Sequence, residues 1–358
     1  MAAVNSWNEW DPLQEVIIGS VRGAADMGYE PALAPYFRPA DPARGFAGGA
    51  VHPAVIDDAE RQLDGLAALL ERLGVTVRRP DPVDHAQPIT TPDWSIAVGR
   101  VNACPRDVLL VVGDRIIEAT MAQRARSFEF RAYRGLVKDY FRAGARWTAA
   151  PRPLLEDSLF AERGEGEFDF NAGSSLTEAE PIFDAACFAR FGRDLFWQPD
   201  MVSNQFGANW LARELGPGFR IHRTVFREKT PMHIDTTLVP IRPGLVLTNP
   251  ERPVLDDGLK LFRENGWRLV EAPPSARSGR TAPGAVSNWI SMNLLMLDPE
   301  TALVEAAETP MIELLRSLGC KVIPVPFDRV YAFGGGLHCA TCDIRREGGL
   351  QSYFPSLD

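Results

Sequence analysis

The sequence predicts an α/β fold built from five strand–strand–helix–strand modules arranged in a ring. Five times, an amphipathic helical stretch ends at a glycine and is followed at once by a short strand. A glycine beyond the last apolar turn is a common left-handed helix cap. Before four of these helices, turn residues separate two apolar runs, which is the pattern of a β-hairpin. Because this order recurs along the chain, we favour a repeated module over a mixed α/β domain with unrelated hairpins.

The first module has one obvious early strand, EVIIGS at residues 15–20. Its helix is AERQLDGLAALLERLG, which ends at Gly74 and carries leucines at three- and four-residue spacings, as expected for a helix with one buried face. The second strand of this module is missing from the N-terminal region. We expect it from the C-terminal run HCATCDIRR at residues 338–346, which would close the ring.

Modules two to five each begin with a hairpin. The hairpins are DVLLVVGDRIIEA, FDAACFARFGRDLFWQ, HIDTTLVPIRPGLVLTNP and SMNLLMLDPETALVEA. The helices are SFEFRAYRGLVKDYFRAG, NQFGANWLARELG, LDDGLKLFRENG and TPMIELLRSLG, which end at Gly144, Gly216, Gly266 and Gly319. Residues 31–53, 156–179 and 273–284 are rich in glycine, proline or acidic residues, and we expect long loops there.

The composition is that of a globular protein, with 45% hydrophobic and 24% charged residues. No low-complexity linker separates the modules, so residues 1–358 are predicted to form a single domain. The net charge of −9 argues against nucleic-acid and membrane-surface partners, and no apolar run approaches the ~20 residues of a membrane span. Five irregularly spaced cysteines argue against a disulfide framework. Since the N-terminal segment also lacks a signal-peptide pattern, we expect a cytoplasmic protein.

Side chains that can do chemistry precede the first strands of different modules. They are Asp107, Asp184, His233, Asp235, Ser287 and Cys339. In a ring this edge of each module faces the central axis, so the six side chains are expected to meet in one cavity. Asp107 and Asp235 could bind a planar guanidinium group, whose five N–H donors suit paired carboxylates.

Cys339 is the candidate nucleophile because it follows three glycines, residues 334–336, which let other groups approach closely. His233 can act as general acid and base, and Asp184 can fix its tautomer. Other interpretations stay open, since Cys339 and Cys342 have the spacing of a zinc or redox pair, cysteines are often core residues, and aspartates often cap turns. No second Cys-x-x-Cys motif is present, so we expect no metal.

Motifs along nearly the whole chain resemble those of the amidinotransferases, the family of arginine:glycine and arginine:inosamine-phosphate amidinotransferases. They include NEWDPLQEVIIG, PRDVLLVVGDRIIEA, EPIFDAA, MHIDTT, PGLVLTNPERP, NWISMNLLML and GGGLHCATCDIRR. The resemblance implies an α/β propeller of five ββαβ modules with pseudo-fivefold symmetry and an active site on the central axis.

The resemblance also implies a role for each residue of the site. Cys339, rather than Cys342, would be the nucleophile, His233 the acid and base, and Asp184 its orienting carboxylate. The implied substrate-binding residues are Asp107, Asp235, Arg252, Ser287 and Met232. Among them, the arginine would hold the α-carboxylate of the substrate.

The implied reaction is a ping-pong transfer of the amidino group of L-arginine, through an amidino-cysteine intermediate, to a small amine, with release of ornithine. Glycine or another amino acid is the favoured acceptor, and neither metal nor organic cofactor is expected. An inosamine-phosphate acceptor in aminoglycoside biosynthesis and an arginine-deiminase type of hydrolase are the alternatives. Cys104 and Val286 stand where the glycine branch has Met and Ser, which leaves the acceptor open. Small molecules are the expected partners, and a homodimer is one option for assembly.

Overall fold

The structure, a computed structural model, describes residues 2–34, 47–160, 176–228, 232–255, 257–276 and 287–357. The strands are β1 Leu13–Ile18, β2 Ala25–Gly28, β3 Ala47–Ala50, β4 Thr76–Arg78, β5 Ile89–Thr90, β6 Ser95–Ile96, β7 Leu109–Val112, β8 Arg115–Glu118, β9 Arg146–Ala149, β10 Phe188–Phe191, β11 Asp194–Trp197, β12 Arg220–Arg223, β13 Leu238–Arg242, β14 Leu245–Thr248, β15 Arg268–Glu271, β16 Leu295–Asp298, β17 Thr301–Glu305, β18 Lys321–Val325 and β19 Thr341–Arg346. The α-helices are α1 Pro53–Arg72, α2 Pro105–Val108, α3 Arg134–Arg142, α4 Gln205–Leu215, α5 Lys260–Glu264 and α6 Thr309–Ser317.

Five three-stranded sheets share one pattern in the described part of the chain. Their strand orders are β19-β1-β4, β7-β8-β9, β10-β11-β12, β13-β14-β15 and β16-β17-β18. In each sheet the first two strands are antiparallel, and the central strand is parallel to the third. A helix lies between the central and third strands, because a parallel connection needs a crossover. The predicted α/β class is therefore confirmed.

The C-terminal strand completes the first sheet, as the sequence predicts. β19 pairs antiparallel to β1, with Val16 opposite Asp343 and Ile17 opposite Cys342. The strand begins later than the predicted run of residues 338–346, and it does not include Cys339. Cys339 lies in a turn before β19, which starts at Thr341.

All five predicted helix-ending glycines have positive φ angles, between 74° and 99°. Two of the predicted helices are shorter than expected. In module two, Glu129–Tyr133 form a 3₁₀ turn before α3, because the carboxylate of Glu129 bonds to Arg126 and the Tyr133 hydroxyl donates to the carbonyl of Asn102. In module four, only α5 is α-helical and a 3₁₀ turn at Asp257–Leu259 precedes it.

A buried ionic network joins the modules beneath the site. Glu9 accepts hydrogen bonds from Arg190 at 2.7 Å and from Arg106 at 3.1 Å. Asp343 in β19 accepts from the same two arginines and from Arg346. Three guanidinium groups outweigh burial and hold the pKa of Asp343 well below its usual value. The network fixes β19, and with it the turn that carries Cys339, against β10 and α2.

Parts of the predicted loops, residues 35–46, 161–175 and 277–284, lie outside the described residues, as does Val286. Among the helices that the structure describes, none is long and apolar enough to cross a membrane. The single-domain assignment for residues 1–358 stays a prediction.

Candidate active site

Cys339 is buried in a turn that follows three glycines, and those glycines make room for its neighbours. A Cβ atom on Gly336 would lie 2.7 Å from Oδ1 of Asn293. One on Gly335 would lie 2.8 Å from Cβ of Cys339. These separations are shorter than atoms tolerate, so any larger residue would push the thiol or the asparagine out of place.

Asn293 holds both the thiol and a carboxylate. Its Nδ2 donates to Sγ of Cys339 at 3.1 Å and to Oδ2 of Asp235 at 2.7 Å, while its Oδ1 accepts from the backbone N–H of Cys339 at 3.0 Å. The thiol in turn lies 3.3 Å from the same carboxylate oxygen, to which it donates. The sulfur and one predicted guanidinium-binding carboxylate are thus fixed against each other.

The pKa of the Cys339 thiol is raised well above its usual value. The largest cause is a hydrogen bond with the thiol of Cys104, followed by burial and by the negative charge of Asp235, whereas an interaction with His233 acts to lower it. The free protein therefore holds Cys339 as a neutral thiol. A cation placed beside the sulfur would be needed to convert it to the reactive thiolate.

His233 has a backbone φ of 60°, in the left-handed region that non-glycine residues seldom adopt. Such a conformation costs about 1–3 kcal/mol and persists only where its surroundings impose it. The backbone N–H of His233 donates to the buried carboxylate of Asp200 at 2.8 Å, and its carbonyl accepts from Gln198 at 3.3 Å. Burial raises the pKa of Asp200 to about 6. These contacts direct the imidazole toward two further carboxylates.

The His233 ring lies between Asp184 and Asp107. Nε2 is 3.1 Å from Oδ2 of Asp184, and Nδ1 is 3.7 Å from Oδ1 of Asp107. Burial acts to lower the imidazole pKa, but the charge of Asp107, the hydrogen bonds with Asp184 and Cys339 and the charge of Asp184 raise it well above its usual value. The ring is therefore protonated at neutral pH and can donate a proton.

Arg126 contacts the carboxylates of both Asp107 and Asp184. Its Nη1 donates to Oδ2 of Asp107 at 2.9 Å and lies 3.7 Å from Oδ2 of Asp184. The other oxygen of Asp107, Oδ1, is buried and has no hydrogen-bond partner among the described residues. A buried oxygen in this position is an open acceptor for a bound donor, since leaving it unpaired is costly.

His338 also contacts Asp235, at the carboxylate oxygen that Asn293 and Cys339 contact. Nδ1 of this histidine lies 2.9 Å from Oδ2 of Asp235, and its Nε2 lies 3.4 Å from Oε2 of Glu9. Burial acts to raise the pKa of Asp235, but the hydrogen bond from His338 and the charges of His338 and His233 lower it. Asp235 is therefore ionised, and it is connected through one side chain to the ionic network below.

Arg252 and Ser287 form a second polar group beside Asp235. Nη2 of Arg252 donates to Oγ of Ser287 at 2.8 Å, and Nη1 donates to Oγ1 of Thr236 at 2.7 Å. Nε of the same arginine forms an ion pair with Glu228. Burial lowers the pKa of Arg252. The predicted carboxylate-binding arginine is thus positioned by hydroxyl groups, and it already has an acidic partner.

The structure brings most of the predicted residues together. One connected cluster contains Cys339, Asp235, His233, Asp184 and Asp107. Arg252, which binds Ser287, adjoins this cluster through its hydrogen bond to Thr236, the residue after Asp235. Met232 is half-buried and packs against the apolar core. Sequence reasoning missed the supporting residues Asn293, Arg126, His338, Asp200 and Glu228. Asn293, His338 and Glu228 lie in or beside the motifs that precede first strands, which was an available signal, whereas Arg126 and Asp200 follow the hairpins of their modules.

No described group of three or more histidine, cysteine, aspartate or glutamate side chains is arranged to hold a metal ion. Each of the five cysteines is a buried free thiol. Cys342, the partner in the alternative zinc or redox pair, points its sulfur at the carbonyl of Leu109, 3.5 Å away. These contacts place Cys342 in the core beneath the site.

Comparison with known proteins gives close relatives over nearly the whole chain, although no family model matches. The chain is 41% identical to the mitochondrial glycine amidinotransferase of Gallus gallus, over 98% of its own length and 85% of that protein. It is 43% identical to the L-arginine:L-lysine amidinotransferase of Pseudomonas savastanoi pv. phaseolicola, over 98% of its own length and 96% of that protein.

Solved structures agree with these sequence matches. An amidinotransferase of the saxitoxin pathway from Microseira wollei superposes with a TM-score of 0.89 at 44% identity, covering 98% of this chain and all of that one (100%). The inosamine-phosphate amidinotransferase of Streptomyces griseus gives 0.88 at 39% identity, with 99% and 100% covered. Dimethylarginine dimethylaminohydrolase shares only the fold, with a TM-score of 0.57 at 13% identity over 92% of this chain and 98% of that one.

The fold therefore places the protein in the structural class that amidinotransferases share with dimethylarginine dimethylaminohydrolase. Within that class, identity above 40% over almost the entire chain decides the family. The chain belongs to the amidinotransferase family.

Proposed function

We propose that this protein transfers the amidino group of L-arginine through a covalent intermediate on Cys339 to a small amine, and releases ornithine. The observation that carries the proposal is a buried thiol that contacts the carboxylate of Asp235, in a cluster with His233, whose pKa is raised and whose ring lies beside the carboxylate of Asp107. A guanidinium ion matches this arrangement in charge, planarity and donor number.

Binding of the guanidinium ion activates the nucleophile. The open oxygen of Asp107 and the ionised carboxylate of Asp235 accept its N–H groups. The negative charge of Asp235, which helps to raise the pKa of Cys339 in the free protein, is then neutralised, and a cation lies beside the sulfur. The thiol pKa falls, so the thiolate forms where the substrate carbon is within reach.

The proton balance assigns His233 its role. When the guanidinium ion binds, the thiol proton leaves to solvent. The Cys339 sulfur then forms a bond to the guanidinium carbon, the bond from that carbon to the ornithine nitrogen breaks, and the proton that His233 already holds passes to the leaving amine, which leaves the imidazole neutral. His233 is the group that carries the proton, and Asp184 holds its ring in the required orientation. The acceptor amine then loses a proton to His233 and attacks the amidino carbon, which frees the sulfur.

We infer that the acceptor is an amino acid, with glycine favoured. In a ping-pong reaction, donor and acceptor occupy the same site in turn. Arg252 and Ser287, which hold the α-carboxylate of arginine in this scheme, are then available for the carboxylate of the acceptor. The relatives named for glycine and for L-lysine as acceptor support an amino acid, whereas the relative named for inosamine phosphate keeps that alternative in the test.

A five-module α/β propeller is the arrangement we infer for the five sheets. Contacts between neighbouring sheets support a closed ring. β19 contacts β7, β7 contacts the turn at Ala185–Cys187 before β10, β10 contacts β13, and β1 contacts β16. Modules four and five meet where Arg242 of β13 donates to the carbonyl of Leu318, at the end of α6, at 2.6 Å. The clustered site residues precede the first strands, which fits a site on the axis. The cytoplasmic location, the absence of a cofactor and the homodimer option stay predictions.

The test is to incubate the protein with L-arginine alone and then with a panel of amines, namely glycine, β-alanine, γ-aminobutyrate, lysine and aminoinositol phosphates. We expect ornithine to form in step with one guanidino product, and expect guanidinoacetate if glycine is the acceptor. Citrulline and ammonia from arginine alone would contradict a transferase and would identify a hydrolase. Cys342→Ser is the matched control, because it changes a thiol in the same segment without touching the predicted chemistry.

A further inference from the structure

A second buried thiol lies against the candidate nucleophile. Cys104 precedes α2, is 3% exposed, and has its Sγ beside Gly335, the residue that also borders the side chain of Cys339. The two segments also meet through their backbones, since the N–H of Arg106, two residues after Cys104, donates to the carbonyl of Cys339 at 3.4 Å. The two thiols, which are 235 positions apart in the sequence, are therefore direct neighbours in the site.

Gly335 is the residue that allows the two thiols to meet. A Cβ atom at this position would lie 2.6 Å from Sγ of Cys104, 2.8 Å from Cβ of Cys339 and 3.6 Å from its Sγ. Both thiol groups thus border the space that is open because Gly335 has no side chain. An alanine there would displace one or both sulfurs.

The other three thiols have different surroundings. Sγ of Cys187 donates to the carboxylate of Asp200 at 3.2 Å, Cys320 accepts from Arg242 at 3.5 Å, and Cys342 faces a backbone carbonyl. The contact of Cys104 with Cys339 is therefore the thiol pair that the described residues provide for disulfide chemistry.

We propose that Cys104 is a resolving thiol for Cys339, so that hydrogen peroxide converts the pair into a reversible intramolecular disulfide that blocks the active site. The sulfur of Cys339 attacks the peroxide oxygen, the O–O bond breaks, and a sulfenic acid and one water form. The sulfur of Cys104 then attacks the sulfenic sulfur, its proton leaves with the hydroxyl group as a second water, and the S–S bond forms. Two thiols are oxidised and one peroxide is reduced.

This modification would protect the nucleophile from irreversible loss. A sulfenic acid with no thiol nearby is oxidised further to sulfinic acid, which thiol reductants do not reverse. Because the thiolate attacks peroxide and the pKa of Cys339 is raised, oxidation of the free protein should be slow at neutral pH and should accelerate as pH rises.

The experiment treats the full-length protein with hydrogen peroxide, blocks free thiols, and maps peptides by mass spectrometry with and without dithiothreitol. We expect a reducible cross-link between the peptides of Cys104 and Cys339, with activity restored by reduction. In Cys104→Ser the cross-link should be absent, and the fraction of activity recovered by dithiothreitol should fall at least severalfold. Cys320→Ser is the control and should behave as the wild type.

Free Cys104 in oxidised, inactive wild-type protein would overturn the proposal, as would equal recovery by Cys104→Ser and wild type. Gly335→Ala supplies an independent variant, in which we expect a lower cross-link yield because the sulfurs are displaced. The cross-link is read from peptide masses and does not depend on amidino transfer. Its formation in a protein that forms no amidino adduct would leave this inference intact and would count against the proposed function alone.

Discussion

Asp107→Asn tests the two roles of this carboxylate, guanidinium binding and the support of His233, through two separate readouts. The amide keeps the shape of the carboxylate but removes its charge. Oδ1 of Asp107 is the buried oxygen without a partner, and Oδ2 accepts from Arg126 at 2.9 Å. A hydrogen bond to a charged group contributes about 1.5–3 kcal/mol, which corresponds to a loss of about 10- to 150-fold in kcat/KM for L-arginine.

The same substitution should change the pH profile. Asp107 is the carboxylate that contributes most to the raised pKa of His233, against the effect of burial. Without its charge the imidazole loses its proton at lower pH. His233 must be protonated to give a proton to the leaving amine. The alkaline limb of the kcat/KM profile should therefore move to lower pH. The assay is ornithine formation from L-arginine at a fixed acceptor concentration across neutral and alkaline pH.

Asp93→Asn is the matched control, because Asp93 is an exposed aspartate outside the site and should leave both measurements unchanged. Thermal unfolding of each variant separates a folding defect from a binding defect. An unchanged kcat/KM together with an unmoved alkaline limb in folded Asp107→Asn would refute the assignment of this carboxylate to the guanidinium.

Three further predictions concern other parts of the site and its support. Asp184→Asn should lower kcat by about 100-fold or more with a small change in KM, since it disturbs the acid–base group rather than binding, and steady-state kinetics with L-arginine tests this. Arg252→Lys should raise KM for L-arginine and leave that for agmatine, which lacks the α-carboxylate, nearly unchanged; an equal rise for both would contradict the assignment. Asp343 has a lowered pKa, so its stabilisation is present above its unfolded pKa of about 4 and is lost as pH falls below it. Asp343→Asn should therefore be less stable at neutral pH and lose less stability on acidification, as measured by urea unfolding; parallel pH curves would contradict this.

Local patterns in the sequence predict much of this fold. Each helix-ending glycine, such as Gly74 or Gly319, satisfies a cap that depends only on neighbouring residues. The hairpins follow from turn residues between apolar runs. The long-range assignment of β19 to the first sheet was also predictable, because an otherwise complete repeat lacks one strand there.

The supporting contacts of the site could not be predicted, because they join residues that are far apart in the sequence. Asn293 contacts Cys339, which lies 46 positions later in the sequence. Arg126 binds Asp107 and lies near Asp184, and no local sequence pattern indicates either contact. Residue type alone also failed for His338. Its neighbours in the sequence indicate no partner for it, whereas in the structure it joins Asp235 to Glu9.

The mass of the intact protein after mixing with L-arginine, in the absence of any acceptor, tests the central claim most directly. We expect one amidino adduct per chain, located on the peptide of Cys339, and its disappearance when the acceptor is added. Cys339→Ala should carry no adduct, and Cys342→Ser should carry the same adduct as the wild type. Release of ornithine by an unmodified protein, or an adduct that survives in Cys339→Ala, would contradict the account.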